Sequence, residues 1–187
     1  MIMARISKQR PLLEKILIFA EGETEVNYFE ELRQKKNISN ATVVKILDGQ
    51  GDYVDKAERK RKQLIKRYEI KNKILVFDAN HESPKNLDKL IIKAKDKGYE
   101  VAFSNTCFEV WLLSHFESMT PAIIAEKELC KKLTKYLKVQ YKKADTNQLA
   151  KIADRFRHAG QNTSTISQIS FTSQATNVGA VINNTLV

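Results

Sequence analysis

Two carboxylates stand where an apolar run gives way to a turn. Glu21 follows Lys15-Ile16-Leu17-Ile18-Phe19-Ala20 and precedes Gly22, a residue that lets the backbone turn sharply and a ligand come close. Asp78 closes the run Ile74-Leu75-Val76-Phe77 in the same way. Beyond it, Asp78, Asn80 and Glu82 place side-chain oxygens at alternate positions of an extended chain. Oxygen donors of this kind suit Mg²⁺ or Mn²⁺: Mg²⁺ takes oxygens at roughly 2.0–2.1 Å, keeps several waters, and is held through one or two carboxylates plus a substrate phosphate. Glu109, near the start of an otherwise apolar helix, is a third acid that would be costly to bury unpaired. His81 is in reach of general-base work, and equally an exposed loop residue. The plainer role for each acid is to accept hydrogen bonds at a helix N-terminus, worth about 0.3–1 kcal/mol.

The elements that must position these acids follow from periodicity. Continuous apolar runs over 15–20 and 73–78 predict strands buried on both faces, and 41–47 and 99–104 read as two further strands. Helical spacing predicts helices over 24–36, capped by Thr24, over 52–69, from about 84 to 97 with a stop at Gly98, and over 107–116. Strands alternating with helices predict an α/β fold with a mostly parallel sheet of about four strands and helices on both faces. In such sheets ligands lie beyond the carboxyl ends of the strands, so Glu21, Asp78 and the turn at Ser104-Asn105 should converge.

With 187 residues, the chain is read as one domain: a core over 14–118, a lysine-rich helical region over 121–160, and a segment over 161–187 without a charged side chain. Ile166, Ile169, Phe171, Val178, Val181, Ile182 and Leu186 give that segment enough apolar surface to dock. An apolar fraction of 42% and a charged fraction of 29% exclude general disorder. No run approaches the roughly 20 apolar residues of a membrane span, and residues 1–9 do not read as a signal peptide, so the expected location is cytoplasmic. Cys107 and Cys130 lack zinc-binding spacing. The net charge of +10 attracts polyanions, nucleic acid first. Its density lies in two blocks: Arg59, Lys60, Arg61 and Lys62, and Lys131 and Lys132 followed by Lys135, Lys138, Lys142 and Lys143. No P-loop or dinucleotide fingerprint is present.

Three segments resemble the RloB-like proteins. Ile18-Phe19-Ala20-Glu21-Gly22-Glu23-Thr24-Glu25, with Tyr28-Phe29, is similar to the family's E-G-x-T-E opening, and Val76-Phe77-Asp78-Ala79-Asn80-His81-Glu82 to its V-F-D-x-D motif. The most specific likeness is Ser104-Asn105-Thr106-Cys107-Phe108-Glu109-Val110-Trp111-Leu112-Leu113-Ser114-His115-Phe116, matching S-N-P-C-F-E-x-W-L-L-x-H-F. Ala175-Thr176-Asn177-Val178 resembles the closing S-T-N-V. The resemblance implies a Toprim-like (Rossmann-like) fold and a place in restriction-linked and abortive-infection loci, often beside a separately encoded ATPase. It makes Glu21 the acid/base or metal-organising carboxylate and Asp78 the first metal-binding aspartate, with Asn80 where a second aspartate is expected. An amide offers a neutral oxygen and binds a divalent ion less strongly, so Glu82 or Glu109 would compensate.

Three functions are compatible with these features. The first is a Mg²⁺- or Mn²⁺-dependent nuclease of phage defence, cutting RNA or DNA. The second is a module with a weakened metal site that holds nucleic acid or an ATPase without cutting. The third is nucleotide transfer of the primase kind.

Overall fold

A computed structural model describes residues 11–46, 52–79 and 82–186. Five strands form one sheet: β1 (Leu13–Ala20), β2 (Ala41–Lys45), β3 (Tyr68–Asp78), β4 (Glu100–Asn105) and β5 (Ala175–Thr176), in the order β2-β1-β3-β4-β5. The first four pair in parallel and β5 runs antiparallel to β4. Eight helices are seen among the described residues: α1 (Glu23–Lys35), α2 (Tyr53–Leu64), α3 (Pro84–Asp96), α4 (Glu109–Ser114), α5 (Glu126–Leu137), α6 (Thr146–Ala153), α7 (Phe156–Asn162) and α8 (Val178–Thr185). This is a mixed α/β architecture compatible with a Rossmann-like fold.

The apolar runs explain the layers. Alternate residues of a strand face opposite sides, so Ile16, Ile18, Ala20, Ile74 and Val76 face one layer, where Tyr28, Phe29 and Leu32 of α1 and the buried faces of α4 to α8 pack. Leu17, Phe19, Leu75 and Phe77 face the other, against Val54 and Ala57 of α2 and Leu87, Ile91 and Ala94 of α3. Under α4 the fully buried His115 is held neutral: burial pushes its imidazole down to about 3. Its Nδ1 donates to the Trp111 carbonyl at 2.9 Å, and Nε2 accepts from the Tyr28 hydroxyl at 2.9 Å.

Three sequence expectations are corrected. The helix expected over 52–69 ends at Leu64, because β3 already begins at Tyr68, and Tyr68, Glu69 and Ile70 pair with Leu13, Glu14 and Lys15. The first helix is not capped by Thr24: it starts at Glu23 behind Gly22, and Thr24 Oγ1 instead accepts from the Ala144 amide at 3.2 Å. The sheet has five strands, not about four; β5 is only two residues long, too short to show a period. The expected stop of α3 is present, with Gly98 at φ +73°, a conformation that costs glycine little.

The uncharged C-terminal segment wraps the β4 edge. Ser104 Oγ and Thr176 Oγ1 meet at 2.9 Å, and Phe171 meets Phe103 edge-on at 5.8 Å. Asn177 continues the ladder with its side chain: Oδ1 accepts from the Phe103 amide at 2.7 Å and Nδ2 donates to the Val101 carbonyl at 2.8 Å. Replacing Asn177 by Ala leaves that amide and carbonyl of β4 unpaired, each at about 1–3 kcal/mol. Urea unfolding of Asn177→Ala should show a stability loss on the order of 2–3 kcal/mol; a loss within error would show that α8 alone holds the edge.

Candidate functional site

In a sheet of order 2-1-3-4 the connections leave β1 to one side and return to β3 on the other, which opens a crevice beyond the carboxyl ends of these two strands. β1 ends at Ala20 and β3 at Asp78, with Ala20 paired to Val76. Glu21 and Asp78 are therefore delivered to the same opening. A cleft of about 380 Å³ lies there, lined by Glu21, Gly22, Glu25, Asp78, Glu109 and Lys143, among others.

Glu25 was not singled out from the sequence, where it reads as one of two acids in the first turn of a helix. The structure turns it back over Gly22. The Gly22 backbone is extended, at φ −84°, so the glycine is not required by the turn. Its bare Cα instead leaves room for the Glu25 carboxylate: a Cβ there would lie 3.0 Å from Cδ, and Glu25 would have to shift. The glycine between Glu21 and Glu25 is thus a cradle for the second carboxylate.

Electrostatics mark these groups. Burial, then the charges of Glu25 and Glu109, raise the Asp78 carboxyl from its ordinary 3.8 to about 7, against a hydrogen bond of 3.2 Å from the Phe108 amide to Oδ2. Burial also raises Glu25 from 4.5 to about 7, opposed by its own backbone amide and assisted by Glu109 and Glu21. Glu109 is only 2% exposed and accepts from the buried Tyr141 hydroxyl at 3.2 Å. Lys143 Nζ is 3.7 Å from Glu109 Oε1 and 2.6 Å from Glu126 Oε1. Burial lowers the Lys143 pKa, but the hydrogen bond to Glu126 and the charge of Glu109 outweigh it and raise the value.

Other expected site residues go elsewhere. Glu82 accepts from Asn86 Nδ2 at 3.1 Å and lines a separate pocket with Asp52, Tyr53 and Lys93. Asn80 and His81 lie outside the described residues. Arg61 is held by Glu58 at 2.9 Å, and Glu58 also accepts from Tyr99 just before β4, so the block Arg59, Lys60, Arg61 and Lys62 is near the amino end of β4, away from Asp78. Lys131 and Lys132 are on α5, paired with Glu128 and Glu117 at 2.6 and 2.5 Å. Among the described residues, Glu109, Glu126 and Cys130 place ligand atoms within 4.8 Å of one another. Lys143 is already paired with both glutamates of that group.

The family model for RloB-like proteins matches residues 16–184. The chain belongs to the RloB-like family. No curated protein and no solved structure matches it. The matched span contains both acidic strand ends, α4 and the Asn177 edge of this RloB-like chain. No described helix is long and apolar enough to cross a membrane.

The raised carboxyls carry a stability signature. A carboxyl with a higher pKa in the folded than in the unfolded chain favours folding while protonated, and this contribution is lost as pH rises from the ordinary value through about 7. The loss accrues at up to about 1.4 kcal/mol per pH unit per group. Without divalent ions, wild type should lose stability relative to Asp78→Asn between pH 5 and pH 8, measured by urea unfolding at each pH. A gap that stays constant with pH would mean that Asp78 is not held protonated by the cleft.

Proposed function

We propose that this RloB-like chain is a Toprim-like, Mg²⁺- or Mn²⁺-dependent phosphodiesterase that cleaves nucleic acid, RNA or DNA, in defence against phage. The observation that carries the reading is the gathering of Glu21, Glu25, Asp78 and Glu109 around one cleft at the β1/β3 crevice, with two of them raised to about 7. Negative charge held at such cost answers to a cation. The donors facing the cleft are carboxylate oxygens, which fit a hard divalent ion that keeps part of its water.

Asp78 is fixed by β3 and the Phe108 amide and would be the principal ligand, with Glu21 the partner from the next strand. Such an ion supplies Lewis-acid stabilisation of charge on the phosphate. Glu25 has a carboxyl near neutrality, the range in which a side chain takes and returns a proton most effectively. Tyr141 and Lys143 restrain Glu109, so it shapes the field of the cleft without being free to leave it. The defence role and an ATPase partner follow from the family resemblance alone.

A second reading, a module that holds nucleic acid or an ATPase without cutting, is favoured by Asn80 where the motif expects an acid. One experiment separates the two. Purified chain is incubated with pooled tRNA, single-stranded DNA and duplex DNA, with Mg²⁺, Mn²⁺ or chelator. Metal-dependent cleavage is expected, lost in Asp78→Asn and Glu21→Gln, while a chain that binds Mn²⁺ and nucleic acid but cuts nothing is the module. In parallel, Mn²⁺ at about 100 times its dissociation constant should stabilise wild type by about 2.7 kcal/mol at pH 8, and clearly less at pH 5, where protons compete for the carboxylates.

A further inference from the structure

We propose that the end of the connector over 138–144, where Lys143 and Ala144 line the acidic cleft, is its substrate-docking wall, with Lys143 the residue that takes a phosphodiester oxygen of a polynucleotide strand. The proposal rests on the phosphodiesterase reading above and names the group in the chain that would hold its substrate.

The connector between α5 and α6 is a built element. It is bracketed by two non-glycine residues in the left-handed region, Lys138 at φ 58° and Ala144 at φ 61°. Conformations of this kind persist only where the surroundings over-determine them. Here they do. The Tyr141 amide donates to Thr134 Oγ1 at 2.9 Å, and the Tyr141 hydroxyl reaches buried Glu109. The Lys142 amide donates to Gln148 Oε1 at 3.0 Å, while Gln148 Nε2 donates to the Gln140 carbonyl at 3.0 Å. Ala144 is clamped to the start of α1 from both sides, its amide on Thr24 Oγ1 and its carbonyl on Asn27 Nδ2 at 2.8 Å. The connector is therefore fixed to the helix that begins two residues after Glu21.

That anchoring brings one cation to the cleft. Lys143 is the only lysine or arginine in the described lining, and its side chain remains 55% exposed. Its ammonium lies against Glu126 and Glu109, so it already neutralises part of the carboxylate charge. A divalent ion beside Glu109 would supply that charge itself and weaken the hold on Lys143. An ammonium on a flexible stem can then turn to a phosphate oxygen at the same mouth. Exposed Lys138 and Lys142 precede Lys143 on the connector and add to the cationic character of the segment that ends at the cleft. The α2 block has no such access to the cleft, being near the amino end of β4.

RNA binding and metal uptake are measured separately, with cleavage held off. A fluorescein-labelled single-stranded RNA is titrated with wild type, Lys143→Gln, Lys143→Arg and the pair Lys60→Gln/Lys62→Gln, with Ca²⁺ replacing Mg²⁺ to hold off cleavage. Mn²⁺ uptake without RNA is measured by calorimetry on the same samples, all checked for an unchanged thermal midpoint. Lys143→Gln should bind RNA roughly tenfold more weakly and lower the slope of log affinity against log salt by about one. Lys143→Arg should keep most of the affinity, the α2 pair should lose less than Lys143→Gln, and Mn²⁺ affinity in Lys143→Gln should be no lower than in wild type. RNA binding by Lys143→Gln equal to wild type, with wild-type Mn²⁺ uptake intact, overturns the assignment of Lys143. So does a parallel loss of Mn²⁺ affinity, which would make Lys143 a support for the carboxylates. A wild type that takes up neither Mn²⁺ nor RNA overturns the phosphodiesterase reading itself.

Discussion

Like charges held together out of water are the constraint around which this fold is arranged. Asp78 and Glu25 would be ordinary acids on a surface; in the cleft, burial and neighbouring carboxylates keep each near neutrality. Everything nearby manages that cost. The Phe108 amide supports Asp78, Glu25 receives its own backbone amide, Tyr141 supports Glu109, and Lys143 brings the compensating charge. The buried carboxyl-terminal halves of β1 and β3 and the aromatic cluster of Tyr28, Phe108, Trp111 and His115 stand directly behind these groups. Without that backing the acids would swing out to water and the repulsion would vanish with the site.

Much of this was legible in the sequence because it follows from period and position. Uninterrupted apolar runs ending in an acid gave β1 and β3, and the alternation of strands with helices gave the parallel sheet, which together bring Glu21 and Asp78 to one edge. What escaped depends on tertiary space. Glu25 looks like a helix-start acid until Gly22 is seen to leave room for its carboxylate. Lys143 is one of many lysines in its block, distinguished only by a loop whose hydrogen bonds reach residues more than a hundred positions away. Residues 65–69 continue the charged character of α2, and only pairing with Leu13, Glu14 and Lys15 turns their end into strand. Glu82 fits the extended spacing from Asp78 but belongs to a different pocket.

The two basic blocks illustrate how little net charge says about place. Both lie on helices, as their spacing suggests, yet one is near the amino end of β4 and the other leads through the connector to the cleft. Several of their cations are also spoken for: Arg61 by Glu58, Lys131 by Glu128 and Lys132 by Glu117. A long-range field still follows from the excess of 32 basic over 22 acidic residues, but local recognition is left to fewer side chains than the sequence count implies.

The Asn177 ladder has a consequence for synthesis on the ribosome. β4 precedes α4, and its outer edge is completed by residues some seventy positions later: Ser173 receives Asn105, Thr176 meets Ser104, and Asn177 spans Val101 to Phe103. A nascent chain that has already emerged through α4 therefore carries Asp78 and Glu109 on a sheet whose last edge is open. That edge closes only once residues 173–177 have been made and have docked on β4, so the sheet that carries the acids is completed from a distant part of the chain.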